Sequence, residues 1–203
     1  MKSLMLFPDE KHAVLKIAWI IVLLVIFIGC QSEKFRGNEM PEDIQTTDFT
    51  LTDQNGKPFT LSDQKGYVVL MFFGYTFCPD VCPMTLSTWM QVQDTLGNQA
   101  EKVKFVYITV DPERDTPERL KDHLNIYSPD FIGLTGSQED LDSVYNSYGV
   151  YHDRNDVEGS EGVYFLSHTS STYVIDRDGE WRLLLPYGTS VGDIVHEIKL
   201  LLK

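Results

Sequence analysis

The chain has 203 residues, 30 of them acidic and 17 basic, for a formal net charge of −13 at neutral pH. Such a balance argues against nucleic acid and anionic membrane surfaces as partners, since both repel an acidic protein. It suits cationic metal ions and basic proteins, but it equally serves solubility, so charge alone assigns no function.

At the N-terminus, Lys11 and Lys16 precede an uncharged run from Ile17 to Ile28, followed by Gly29-Cys30. The run is short for a bilayer helix, which needs about 20 apolar residues. A basic start, a short hydrophobic stretch and a small residue at its end resemble a bacterial lipoprotein signal, in which Cys30 is acylated after cleavage. Phe27 stands where that pattern usually has leucine. The alternative is an uncleaved anchor, because Val14 and Leu15 lengthen the apolar stretch across Lys16. Either way residues 1–30 hold the rest of the chain at the bacterial cell membrane, on its extracytoplasmic side. The cysteine arithmetic agrees. Three cysteines leave one unpaired in an oxidising compartment unless Cys30 belongs to the anchor, and Cys78 and Cys82 then remain. Residues 31–43 are polar, lack apolar periodicity and read as a flexible tether. Residues 44–203, roughly 160 of them, are the size of a single domain with a real core.

Within that domain, Asp48–Thr52 and Lys57–Leu61 flank Asp53-Gln54-Asn55-Gly56, and Asn-Gly between alternating apolar residues predicts a β-hairpin. Tyr67–Phe73 is a continuous apolar run of strand length, as expected of a strand covered on both faces. It leads into Gly74-Tyr75-Thr76-Phe77-Cys78-Pro79-Asp80-Val81-Cys82-Pro83. If the chain turns helical here, the four-residue spacing puts both sulfurs on one face with Cα atoms about 6 Å apart, within reach of a disulfide or of two ligands on one metal. A purely stabilising disulfide gains little from so short a loop. Met84, Leu86, Trp89, Val92 and Leu96 then fit an amphipathic helix over residues 84–96, ended by Gly97.

Val103–Val110 predicts a second buried strand, and Thr116 with Pro117 caps a helix carrying Leu120, His123, Leu124 and Tyr127. A short strand follows at Phe131–Leu134, then a helix over Gln138–Tyr148 opened by Ser137. Residues 152–162, polar, acidic and without periodicity, read as a long exposed loop. Thr172–Ile175 and Trp181–Leu185 form a hairpin around Asp176-Arg177-Asp178-Gly179, and a last helix capped near Thr189 or Ser190 runs through Ile194, Val195, Ile198 and Leu201. The alternation defines an α/β class with a parallel component.

A buried strand entering a cysteine pair at a helix start, with a closing hairpin and helix, resembles the thioredoxin fold. Its elements here are an N-terminal β-hairpin, a central mixed sheet flanked by helices, and a C-terminal hairpin plus helix. At residue level the segments Phe73–Pro83, Val110-Asp111-Pro112-Glu113-Arg114-Asp115-Thr116-Pro117, Gly133–Gly136 and Ser167-His168-Thr169 are similar, in the same order, to the Sco/SenC family of copper proteins needed for cytochrome c oxidase assembly. That resemblance implies copper bound by Cys78, Cys82 and His168, with Asp111 close by to orient a ligand or tune its basicity. It also implies delivery to the copper-containing subunit of cytochrome c oxidase, with an upstream copper donor and a thiol reductant as further partners. Two thiolates suit Cu(I) and an imidazole accepts Cu(I) or Cu(II), whereas a structural zinc site normally closes a fourth ligand. Of the other histidines, His12 lies in the signal region, His123 and His196 on predicted helices and His152 in the acidic loop. Phe72, Phe73, Tyr75 and Phe77 are expected to form core and site wall.

Two other functions compete. A thiol–disulfide oxidoreductase needs only the redox pair Cys78 and Cys82, and would keep the target's copper-ligand cysteines reduced. Against a general thioredoxin stand the three-residue spacer and the absence of a proline just before Thr172. A peroxiredoxin-like peroxidase fits Thr76 near Cys78 but lacks that family's upstream proline.

Overall fold

The computed structural model describes residues 33–203, so the expected signal segment and Cys30 lie outside the described residues. Phe35–Lys203 form one unit. Its strands are β1 (Asn38–Glu39), β2 (Thr50–Asp53), β3 (Pro58–Thr60), β4 (Val68–Gly74), β5 (Val103–Thr109), β6 (Ile132–Thr135), β7 (His152–Asp156), β8 (Tyr164–His168), β9 (Thr172–Ile175) and β10 (Trp181–Leu185). Its helices are α1 (Val81–Leu96), α2 (Pro117–Asn125), α3 (Gln138–Tyr148) and α4 (Val191–Leu201). Eight strands make one mixed sheet in the order β1-β10-β9-β4-β5-β6-β2-β3, and β7 with β8 make a separate pair.

The wholly apolar sequence of β4 explains its central place. Every one of its residues is buried, with β5 parallel on one side and β9 antiparallel on the other. Alternation along the strand sends Phe72 and Phe73 to opposite faces. Phe72 meets Trp89 of α1 and Tyr107 of β5, and Trp89 in turn packs on Phe105 and Phe131. Phe73 packs on Tyr145 and Tyr148 of α3 and on Tyr173 of β9. Each such ring, fully buried, contributes about 1.5–3 kcal/mol. Local signals agree with this packing. The Thr116, Ser137 and Ser190 side chains accept from the N–H groups of Arg119, Asp140 and Asp193 at the starts of α2, α3 and α4, and Gly149 ends α3 in the left-handed region.

Three expectations need correction. The first helix starts at Val81, not at residue 84, because Pro83 falls in its first turn, where a proline loses no helical hydrogen bond. Residues 152–162 are not all loop: 152–156 are β7, in full register with β8, and only the connection is irregular. Nor is the tether free over the described part of 31–43. Asn38 and Glu39 pair with Leu184 and Leu183, and the Glu197 carboxylate, buried on α4, accepts from the backbone N–H groups of Arg36 (2.6 Å) and Gly37 (3.0 Å). Among residues 33–203 no helix is long and apolar enough to cross a membrane.

Glu197 is therefore the clamp that seats the N-terminal segment. Replacing it with alanine strands two N–H groups, and the loss is expected to cost about 1–3 kcal/mol in urea unfolding, with faster amide exchange at residues 36–39. Unchanged exchange there in Glu197→Ala would show that β1 holds the segment by itself.

Candidate metal centre

Three elements deliver the site. Strand β4 ends at Gly74, the following turn carries Cys78, and Cys82 is the second residue of α1. The two cysteines therefore do not share a helical face, since Cys78 precedes the Asp80 cap. Cys82 is fully buried and Cys78 half-buried, and both are free thiols. His168 is the last residue of β8. The Sγ atoms of Cys78 and Cys82 and a ring nitrogen of His168 all lie within 4.8 Å of one another, and Nε2 of His168 is 3.4 Å from Cys82 Sγ. Among the described residues this is the cluster of three or more His, Cys, Asp or Glu side chains placed to hold a metal.

His168 is oriented for that task. Its Nδ1 lies 2.9 Å from the carbonyl oxygen of Thr169. A carbonyl only accepts, so Nδ1 carries the proton and Nε2 presents a lone pair to the sulfurs. Phe72 and Tyr75 turn their rings edge-on to the imidazole, with centroids 5.9 and 5.7 Å away. These two rings are the site wall. Phe73 lies on the opposite sheet face, and Phe77 is exposed under the guanidinium groups of Arg119 and Arg114.

The turn is pinned by a residue that the sequence reading did not single out. Asp115 is fully buried and accepts from the Thr76 hydroxyl (2.6 Å), the Thr76 N–H and the Thr109 hydroxyl (2.7 Å). Burial pushes its pKa up, and those same bonds oppose the rise. It lies inside the Asp111–Thr116 motif, and only its partners, remote in sequence, reveal its job. Asp111 works elsewhere. It is buried, ion-paired with Arg114 and bonded to the Tyr164 hydroxyl at 2.8 Å, so its hydrogen bonds hold the start of β8 rather than Cys78, Cys82 or His168. The Tyr164 ring is sandwiched between the guanidinium groups of Arg114 (3.6 Å) and Arg154 (3.8 Å), and the Leu166 N–H donates to the Tyr75 hydroxyl at 3.1 Å. Together these contacts dock the β7–β8 hairpin and fix His168 over the cysteines. His152 pairs with His168 across the hairpin but meets the Tyr145 ring edge-on, with centroids 4.8 Å apart, and His123 lies beside Tyr107 and Tyr127.

The two thiols are made unlike. Hydrogen bonding from the Cys82 thiol, helped by the backbone N–H groups of Asp80 and Cys82, lowers the pKa of Cys78 to about 4 against the opposing effect of burial. Burial first, and then the neighbouring Cys78 sulfur, push Cys82 upward, while the Tyr107 hydroxyl favours its thiolate. The metal-free pair is thus one thiolate at the helix start and one thiol behind it. Gly74 makes room for both, because a Cβ there would sit 2.7 Å from Cys82 Sγ and 2.6 Å from the Tyr107 hydroxyl oxygen.

A thioredoxin-like sheet with an open Cys2His cluster at the end of its central strand defines a metal-binding variant of that fold. Residues 38–203 match the SCO1/SenC family model, and the chain belongs to that family. It is 39% identical over 152 residues to an SCO2-like protein of Rickettsia felis, covering 75% of this chain and 74% of that protein. The structure of Bradyrhizobium japonicum ScoI with copper bound is 38% identical, with a TM-score of 0.71 over 76% of this chain and 98% of that one. BsSco, described as a Sco-family cytochrome c oxidase assembly protein with a disulfide switch, is 28% identical, with a TM-score of 0.61 over 79% of this chain and 95% of that one.

With its pKa near 4, Cys78 remains a thiolate throughout the neutral range. Its alkylation by iodoacetamide, followed by peptide mass mapping, is expected to proceed at an almost constant rate from pH 8 to pH 6, with Cys82 unmodified. An ordinary thiol of pKa about 8.5 would slow roughly tenfold per pH unit over that range, and such a profile at Cys78 would refute the assigned asymmetry.

Proposed function

We propose that this protein is a membrane-tethered copper metallochaperone, which takes one copper ion on Cys78, Cys82 and His168 and passes it to the copper-containing subunit of cytochrome c oxidase. The observation that carries this reading is the convergence of two sulfurs and a ring nitrogen of His168 within 4.8 Å. Soft sulfur ligands select Cu(I), and the imidazole lets Cu(II) bind as well. A set of three leaves one side open, as cargo transfer requires and as a structural zinc site does not. The copper-bound relative, and the oxidase-assembly role stated for BsSco, support both cargo and target. Tethering through residues 1–30, with Cys30 acylated and the domain outside the cytoplasm, completes the proposal. A copper donor and a thiol reductant upstream would load and reset the site.

Loading has a requirement that follows from the chain itself. Cys78 is poised as thiolate, but Cys82 must lose its proton before it can ligate, and His168 must keep Nε2 free. Oxidation of the pair to a disulfide removes both thiolates, so copper is held only by the reduced protein.

The unequal thiols favour a second reading, a thiol–disulfide oxidoreductase acting on the target's cysteines. A half-buried low-pKa thiolate with a fully buried partner is what attack and resolution need. His168 separates the two readings, because exchange chemistry needs no third ligand.

The test is anaerobic titration of the reduced protein with Cu(I) and Cu(II), alongside Cys78→Ala and His168→Ala. One-to-one binding, weakened at least tenfold in both variants, with thiol exchange retained in His168→Ala, is the expected result. Binding indifferent to His168, or no tight binding in the parent protein, would move the assignment to the oxidoreductase.

A further inference from the structure

We propose that Tyr107 is a hydrogen-bond donor to the sulfur of Cys82 in the metal-loaded protein, and that this bond biases the site toward Cu(I). The inference rests on the copper reading and names a residue of the site beyond its three ligands.

Tyr107 lies on β5 with no exposed surface, yet its hydroxyl has no hydrogen-bond partner in the metal-free protein. A buried hydroxyl without a partner is unfavourable, and phenylalanine would fill the same space without that cost. The hydroxyl points at the site. It and Cys82 Sγ converge on one point beside Gly74, where a methyl group would touch oxygen at 2.6 Å, sulfur at 2.7 Å and the Phe72 ring at 2.9 Å. Glycine at position 74 keeps that point empty. Phe72, with its ring centroid 5.9 Å from that of Tyr107, closes one side of the space. The imidazole of His123 has its centroid 6.2 Å from that of Tyr107, and its own Nε2 is likewise buried without a partner, so the two form no bond with each other.

Cys82 changes role when metal binds. Without metal its S–H has acceptors in the Cys78 thiolate and in His168 Nε2, 3.4 Å away, and the Tyr107 hydroxyl is idle. Once metal occupies Nε2 and the sulfur is a thiolate, Cys82 no longer donates and becomes a charged acceptor, to which a buried O–H bonds more strongly than to a thiol. A donor at a ligating sulfur withdraws electron density from it. That favours the metal state with more negative charge on sulfur, the Cu(I) form, and lowers the energy of the sulfur lone pair.

Tyr107→Phe tests this. The variant is expected to keep one-to-one copper binding and to melt, without metal, no lower than the parent protein. Its Cu(I) affinity should fall by roughly ten- to a hundredfold, the worth of one hydrogen bond to a charged acceptor. Cu(II) affinity should fall less, and the sulfur-to-Cu(II) charge-transfer band should move to longer wavelength. Cd(II), which binds thiolates whether or not a site prefers copper, supplies an arm independent of the proposed function: its affinity should also fall in the variant. If the parent protein binds Cd(II) but not copper, the chaperone reading fails while the Cd(II) comparison still decides the role of Tyr107. An unchanged ratio of Cu(I) to Cu(II) affinity, or unchanged Cd(II) binding where copper does not bind, overturns the inference, whatever happens to the melting temperature.

Discussion

The site depends on a carboxylate that is not a ligand. Asp115 accepts from backbone and hydroxyl of Thr76, two residues before Cys78, and from the hydroxyl of Thr109, the last residue of β5. The parallel register places Gly74 opposite Thr109, so the carboxylate ties the chain leaving β4 to the end of the neighbouring strand. An ionised group this deep is costly unless its acceptor sites are filled, and here donors fixed by the sheet fill them. The turn bearing Cys78 is thereby held at the mouth of the sheet before any metal arrives, and α1 continues from it with Cys82 facing inward. Preorganisation of this kind removes the ordering cost from the binding step.

From that fixed turn follows the inequality of the thiols. Cys78 has N–H groups at the start of α1 and an S–H neighbour to stabilise its charge, while Cys82 lies among Phe72, Tyr107 and Gly74 with little to stabilise a second negative charge. Two adjacent thiolates in so dry a place are unfavourable without a cation. On the proposed function a metal ion would supply that cation and a disulfide would remove the need for it, so the two states exclude each other.

How legible this was in the sequence varied by element. The run Val68–Gly74 is apolar without interruption and announces a central strand, and Thr116-Pro117, Ser137 and Gly97 mark helix ends by local chemistry alone. The cysteine pair and His168 were legible as candidates through the family motifs, and the structure brings all three together. What was missed depends on partners far along the chain. Asn38-Glu39 and His152–Asp156 are short, polar and exposed, without the alternation that betrays a half-buried strand. One is held by Glu197 and β10, the other by its register with β8. The roles of Asp115 and Tyr107 lie in contacts with Thr76 and with the space beside Cys82, which no local pattern encodes.

The candidate ligands are consequently held by two unlike parts of the molecule. Cys78 and Cys82 belong to a turn and helix continuous with the buried core. His168 belongs to a polar two-stranded hairpin outside the main sheet, attached by the Tyr164 ring between Arg114 and Arg154, the Asp111 carboxylate, the Tyr75 hydroxyl and the His152 ring on Tyr145. The Tyr164 and His152 contacts act on the hairpin that carries the imidazole, whereas Arg114 and Tyr75 also touch the turn that carries Cys78. Asp111 therefore influences the metal centre through the position of β8 rather than through the chemistry of a ligand. On the proposed function, the sulfur pair shared by both readings sits on the part continuous with the core, and the imidazole that separates copper binding from thiol exchange sits on a hairpin outside the main sheet.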